Sequence, residues 1–319
     1  MTLSQAAIIT KNSILLLFLT IILGTAGGFG YKYYKAYQLS KLPPQEEKAD
    51  NKFGLLPEVK FPKARVSSSN FSYSLDTTTG GFVKFPSLVK VYFIPQGSLT
   101  FLSPDKSKEL ARGLGFVDEP VQNDNQYQFT NGLGDSFIID ISTANFTLNR
   151  NEASASAKLK LQPLDSNQAI VQFKSFLDKN RLLVDELKNG KAKTIDYEVN
   201  LYPEGVDSLP VINLPPEQSL IRGKAKQLND SILFTQIHYT FWPIDKLNYS
   251  TYKILQPEVA YEQLKQGRGY VAKEPTKPQV SLSNIYLAYY QTEEYSPYLQ
   301  PVYVFEGPEF IGVVSAITK

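Results

Sequence analysis

The chain has 319 residues, and 33 Lys plus Arg against 31 Asp plus Glu leave a net charge of +2. That balance gives no case for a nucleic-acid partner, which would want a clustered basic face. No cysteine is present, which excludes disulfides, thiolate metal sites, iron–sulfur clusters, a cysteine nucleophile and an acylated lipoprotein anchor.

The length suggests about two domains once non-globular parts are set aside. An apolar content of 42% can supply cores, and 20 Tyr with 19 Phe lean towards β structure. The N-terminus carries the strongest signal. Between Lys11 and Lys32 lie 20 uncharged residues, Asn12 to Tyr31. A helix of that length spans about 30 Å, the hydrocarbon thickness of a bilayer. Tyr31, Tyr33 and Tyr34 form an aromatic collar just beyond it. Residues 1–12 therefore read as a short tail and 13–34 as a single-pass transmembrane anchor. "GTAGG" at Gly24–Gly28 offers small residues to a signal peptidase. The glycines lie inside the uncharged span, which favours an uncleaved anchor. Lys32, Lys35 and Lys41 follow the helix and argue for a cytoplasmic domain, yet long domains translocate largely regardless of charge. The favoured orientation is extracytoplasmic. Residues 35–63, with prolines and mixed charges, read as a linker.

The rest reads as α+β: tandem antiparallel-sheet units, each packed by a short helix, at 64–215 and 216–319. Strand patterns occur at "NFSYSLD" (Asn70–Asp76), "SLVKVYFIP" (Ser87–Pro95), "DSFIID" (Asp135–Asp140) and "ANFTLNR" (Ala144–Arg150), the last two as a hairpin. "SASAKLKLQP" (Ser154–Pro163), "KTIDYEVNLYP" (Lys193–Pro203), "SILFTQIHYTFWP" (Ser231–Pro243), "YSTYKIL" (Tyr249–Leu255) and "EFIGVVSAI" (Glu309–Ile317) follow. Three helices interrupt them. One is capped by Ser103 with Pro104 in its first turn. Another is capped by Ser166, with Ala169, Phe173, Phe176 and Leu177 as its apolar stripe. The third starts at Pro257, sets Ala260 beside Leu264 and stops at Gly267. The first and third share an ending, Gly113-Leu-Gly115-Phe116 and Gly267-Arg-Gly269-Tyr270, which suggests two related units.

Catalytic patterns are sparse. The single histidine, His238, lies on a strand on the face of Phe234 and Trp242, where it reads as a hydrogen-bonded sheet residue. There is no Gly-x-Ser-x-Gly elbow. Ser-x-x-Lys occurs at Ser87–Lys90 and Ser103–Lys106 without a following Lys-Thr-Gly. Acid pairs such as Asp118/Glu119, Asp185/Glu186 and Glu293/Glu294 read as solvated turns. No metal site and no cofactor is expected.

"NIYLAYYQTEEYSPYLQPVYVFEG" (Asn284–Gly307) remains as the most distinctive stretch. Ile285, Leu287 and Tyr289 point one way on its first run, and Tyr286, Ala288 and Tyr290 the other. Its tyrosine-rich surface, with Tyr286, Tyr289, Tyr290, Tyr303, Phe305, Trp242 and His238, is the candidate binding surface, set against plain packing of the same residues. "LQPEVAYEQLKQGRGYV" (Leu255–Val271), "SLSNIYLAYYQTEE" and "YLQPVYVFEG" together resemble the YycH/YycI type of membrane-anchored regulator and its PepSY-like α+β modules. The likeness spans about 50 residues and carries no catalytic signature. It implies a non-enzymatic regulatory or interaction role. The apolar span, the missing catalytic patterns and the sheet units lead to the expectation of a surface-exposed protein that binds a protein partner or envelope polymer. In that family the partner is a sensor histidine kinase, which no residue here identifies. A carboxylate-dependent envelope hydrolase and a cytoplasm-facing scaffold are the alternatives.

Overall fold

Alternating apolar residues generate most of the architecture, because successive side chains on a strand point to opposite faces. In the computed structural model the described residues are 30–35, 37, 48–78, 80–151, 161–228 and 231–318. Most of the expected membrane anchor, residues 13–29, lies outside them, as do the tail at 1–12 and residues 38–47 of the expected linker. Residues 30–35 and 37 are helical. Among the described residues no helix is long and apolar enough to cross a membrane.

The elements run in the following order. A short 3-10 turn, Ser68–Asn70, leads to β1 (Ser72–Leu75) and β2 (Leu88–Phe93). Helix α1 (Ser103–Gly113) precedes β3 (Val121–Asn123), β4 (Gln126–Thr130), β5 (Ser136–Asp140), β6 (Phe146–Asn149) and β7 (Leu161–Gln162). Helices α2 (Ser166–Lys179) and α3 (Asp185–Lys188) lead to β8 (Ala192–Ile195), β9 (Glu198–Leu201) and β10 (Val211–Ile212). Next come β11 (Ile221–Leu228), β12 (Ser231–Tyr239) and β13 (Asp245–Lys253). Helix α4 (Pro257–Gln263) continues into a π turn, Leu264–Arg268. The chain closes with β14 (Tyr270–Lys273), β15 (Gln279–Leu282), β16 (Asn284–Tyr290), β17 (Tyr298–Gly307) and β18 (Phe310–Ser315).

The fold is α+β with sheet dominant. A nine-stranded antiparallel sheet runs β3-β4-β5-β6-β12-β11-β9-β8, with β7 beside β11. A seven-stranded sheet runs β10-β16-β17-β18-β14, with β2 on β17 and β13 on β2. Two pairs are parallel, β1 with β15 and β10 with β16. The sheets interleave along the chain. β2 and β10, from the expected 64–215 unit, lie in the seven-stranded sheet; β11 and β12, from the expected 216–319 unit, fill the middle of the nine-stranded one. Residues 49–319 form one compact unit.

One row across the larger sheet explains how its helix seats. Phe129, Phe137, Leu148, Ile237, Gly223 and Val199 stand opposite one another in register and so share a face. Gly223 leaves a notch in that row. A Cβ there would sit 2.7 Å from Phe173 Cε2 and 3.0 Å from Phe234 Cδ1. The notch therefore receives Phe173, which α2 buries together with Ala169 and Leu177.

Several local expectations are corrected. Helix α2 is capped by Asp165, not Ser166: its carboxylate accepts from Asn167 N and Gln168 N at 3.0 Å. Ser103 is already helical, and its Oγ instead accepts from Thr100 N at 3.0 Å. The run at Lys193–Pro203 is a hairpin, because Asp196 and Tyr197 take φ of 47° and 66° and reverse the chain in two residues. The two Gly-x-Gly endings differ in geometry: positive φ falls on the second glycine of one, Gly115, and on the first of the other, Gly267. The strand expected at Ser154–Pro163 lies mostly outside the described residues, with β7 its described end.

The notch yields a test. Gly223→Ala forces a methyl group into Phe173, so it should destabilise the chain by about 1–3 kcal/mol in urea denaturation. Adding Phe173→Leu should recover part of that loss, whereas Phe173→Leu alone should destabilise.

Candidate interaction groove

The hairpin β16–β17 is the centre of the candidate region, and it is buried on both faces. Ile285, Leu287, Tyr289, Tyr303 and Phe305 join a core with Ala260 and Leu264 of the α4 segment. Ala288, Tyr290, Val302 and Val304 join a second, smaller core on the reverse face with Ile311 and Val313. Val59 and Phe61 cover that reverse face. The segment expected as linker is thus, over residues 49–63, an arm laid along the sheet.

The arm is fastened along its length. Asn51 N donates to Thr251 O at 3.1 Å and Lys52 N to Ser250 Oγ at 2.7 Å. Tyr252 Oη donates to Gly54 O at 3.0 Å, and Gln300 Nε2 to Pro57 O at 2.9 Å. The Phe61 ring lies 5.4 Å from that of Tyr290 and 5.8 Å, stacked, from that of Tyr270. The motif that could have marked the arm is the alternation Val59-Lys60-Phe61. Pro57, Pro62 and the charges around it hide the pattern.

A groove of about 790 Å³ separates arm residues 57–63 from the loop 291–297 that joins β16 to β17. Glu58, Lys60 and Lys63 line one wall; Glu293, Glu294 and Tyr295 line the other. Tyr290, Tyr298 and Gln300 complete the lining. A second groove of about 760 Å³ lies along arm residues 51–59, with Tyr252, Arg268 and Gln300 among its lining.

The loop wall is held by β12 and the β12–β13 connection. Trp242, just after β12, donates from Nε1 to Thr292 O at 3.1 Å, and Gln291 Nε2 donates back to Trp242 O at 3.1 Å. The Trp242 and Tyr295 rings meet at 5.5 Å. His238 Nε2 lies 3.2 Å from Glu293 Oε1 and 3.2 Å from Thr240 Oγ1. Opposite His238 in register stands Arg222, whose Nε is 3.6 Å from Glu198 Oε1. His238, Trp242 and Tyr290 therefore meet around this loop.

The other candidates do not form an exposed face. Tyr289, Tyr303 and Phe305 are fully buried. Tyr289 Oη donates to Lys90 O at 2.9 Å and Tyr303 Oη to Leu255 O at 2.7 Å. Tyr286 is half-buried on the reverse face. Burial pushes the phenol pKa of Tyr286 and of Tyr290 up to about 12, and those of Tyr289 and Tyr303 higher still. Tyr289, Tyr290 and Tyr303 are packing groups whose hydroxyls donate to backbone carbonyls.

The Ser-x-x-Lys patterns also resolve into structural roles. Lys90 Nζ is 3.3 Å from Asp207 Oδ2 and 4.5 Å from the Tyr249 ring centroid. Ser103 Oγ belongs to the turn before α1. Among the described residues no cluster of three or more His, Asp or Glu could hold a metal ion.

No protein-family profile matches the chain, and no curated protein matches it. Among solved structures, the crystal structure of YycH from Bacillus subtilis superposes with a TM-score of 0.38 at 14% identity, covering 73% of this chain and 53% of that one. The match thus spans about half the length of that protein. A likeness this distant carries no statement about activity or partners.

Two tests follow from the groove's construction. Burial lowers the His238 pKa from 6.5, Arg222 lowers it further, and Glu293 opposes both. Above about pH 6.5 the imidazole is neutral in folded and unfolded chains alike. As pH falls below that value the unfolded chain takes up the proton first, so stability should decline until the folded-state pKa is passed. His238→Gln should flatten this part of a plot of urea midpoint against pH, leaving the carboxylate region at lower pH unchanged. Separately, Phe61→Ala removes a half-buried ring and should cost about 1–2 kcal/mol. Trypsin should then cut faster at Lys60 and Lys63, while cleavage at Lys224 keeps its rate.

Proposed function

We propose that the chain is a membrane-anchored extracytoplasmic binding protein of regulatory type, without catalysis, that receives a protein partner in the groove between arm and loop. The observation that carries this reading is the groove itself. It has two walls from distant parts of the chain, charges of both signs, and an aromatic lining at Tyr290, Tyr295 and Tyr298. Mixed charge around aromatic anchors suits an extended polypeptide, since tyrosines supply contact area at little entropic cost. The apolar span Asn12–Tyr31 and the YycH/YycI-like residues 255–307 support the anchored and regulatory parts of the reading.

A second reading has one specific support. Glu58 lies on the arm wall and Glu293 and Glu294 on the loop wall, the general disposition that carboxylate-dependent hydrolysis of an envelope polymer needs. The cytoplasm-facing scaffold rests only on the lysines after the apolar span. It predicts that the large unit is protected from protease added to intact cells.

The deciding experiment is photocrosslinking in native membranes, with the photoreactive residue at Lys60 or Glu294 of the full chain. A discrete protein adduct, lost when Tyr298→Ala is added, is expected. Absence of an adduct at both positions removes the partner reading. Turnover of a cell-wall polymer by the full chain, abolished by Glu58→Gln or by the pair Glu293→Gln and Glu294→Gln, would establish the hydrolase instead.

A further inference from the structure

The loop between β2 and α1 presents a run of apolar side chains to water. Phe101 is 93% exposed, and its neighbours Leu99 and Leu102 are 58% and 55% exposed. Three of four consecutive residues, Leu99 to Leu102, are thus large, apolar and open. Single exposed apolar residues are ordinary; a contiguous cluster is not.

The loop is built, not slack. Ser103 N donates to Thr100 O at 3.0 Å, and Thr100 N donates to Ser103 Oγ at 3.0 Å. The Thr100 and Ser103 hydroxyls are 2.8 Å apart. Upstream, Gly97 packs so closely on the turn after β5 that a Cβ would lie 2.7 Å from Ser142 O. Downstream, Pro104 and α1 follow at once. The hydrogen bonds fix a turn whose apex side chain, Phe101, projects outward. Holding it there in advance lowers the conformational entropy lost on contact.

We propose that this turn is a membrane-contacting tip, with Phe101 as its anchor and Leu99 and Leu102 as flanks, that enters the headgroup–acyl boundary of the bilayer. A bilayer is the apolar phase always within reach. Residues 32–48 join the apolar span to the compact unit, and 17 residues reach at most about 60 Å even when fully extended. Phenylalanine and leucine are the side chains that interfacial segments bury at that boundary. Lys106, exposed in the first turn of α1, is placed to meet anionic headgroups, with Asp105 beside it limiting the local charge. Attachment through the span keeps the tip at high local concentration near the surface, so a weak insertion is enough. This inference rests on the membrane-anchored part of the proposed function and is independent of what occupies the groove.

The absence of cysteine allows a direct test. Ser98→Cys, at an exposed position beside the tip, gives the full chain one thiol for an environment-sensitive dye; Leu247→Cys, at a residue 94% exposed in β13, gives the control. The chain is reconstituted in vesicles of phosphatidylethanolamine and phosphatidylglycerol, and flotation reports the anchor. Blue-shifted emission at position 98, quenched by a bromine-labelled lipid and absent at 247, is expected, and Phe101→Ser should remove it. If the chain floats but the dye at 98 emits as in water, the tip proposal fails and the anchor stands. A shift without lipid quenching means protein contact and overturns it, as does an equal shift at 247. If the chain does not float, the anchor reading fails and the proposal with it.

Discussion

The constraint on which the structure depends is the two-sided burial of the β16–β17 hairpin. An antiparallel pair with one wet face can alternate polar and apolar residues, but here Tyr289 and Tyr303 on one face and Val302 and Val304 on the other all lose contact with water. Such a pair needs a cover on each side. The α4 segment provides one through Ala260 and Leu264, both fully buried. The arm provides the other through Val59 and Phe61, and its lateral hydrogen bonds to Gln300 and Tyr252 hold it there. The arm is therefore part of the fold, and the groove exists because the arm must pass beside the loop.

Burial also explains the tyrosines. A phenol is a large apolar body with one polar tip, and it is tolerated inside only when that tip finds a partner. Tyr239, Tyr289, Tyr295 and Tyr303 donate to the carbonyls of Leu182, Lys90, Ile94 and Leu255. Each ties a strand or the hairpin loop to a residue far away in the chain. The aromatic richness that suggested a recognition surface serves mostly to stitch the sheets.

Much of this was legible in the order of residues, and the failures share a cause. The β5–β6 hairpin, the apolar stripe of α2 and the stop at Gly267 follow from local pattern, and the structure contains all three. The Asp196–Tyr197 reversal was not legible, because neither residue is the glycine that usually marks positive φ. The interleaving of the sheets was hidden for a deeper reason. A strand's periodicity reports that one face is buried, not which sheet buries it, so β2 and β12 both read as strands in sequence and belong to different sheets. The candidate site was half visible. Trp242, His238 and Tyr290 do converge, but through a loop whose register only the folded chain fixes, and the opposing wall came from a segment rich in proline and charge.

The two walls of the groove are unequal in strength, and that inequality decides how the groove can respond to an occupant. The loop wall is joined to the β12–β13 connection by the reciprocal bonds of Trp242 with Thr292 and Gln291, in which the Gln291 and Trp242 side chains are both buried. Breaking such bonds leaves buried donors without partners, at about 1–3 kcal/mol each. His238 and Glu293 add little, since the carboxylate is mostly exposed. The arm wall is held by the Gln300–Pro57 bond, a 3.5 Å contact from Tyr290 Oη to Lys60 O, and half-buried side chains. Segments with fewer buried contacts open at lower free energy. Any ligand that widens the groove therefore displaces the arm before the loop.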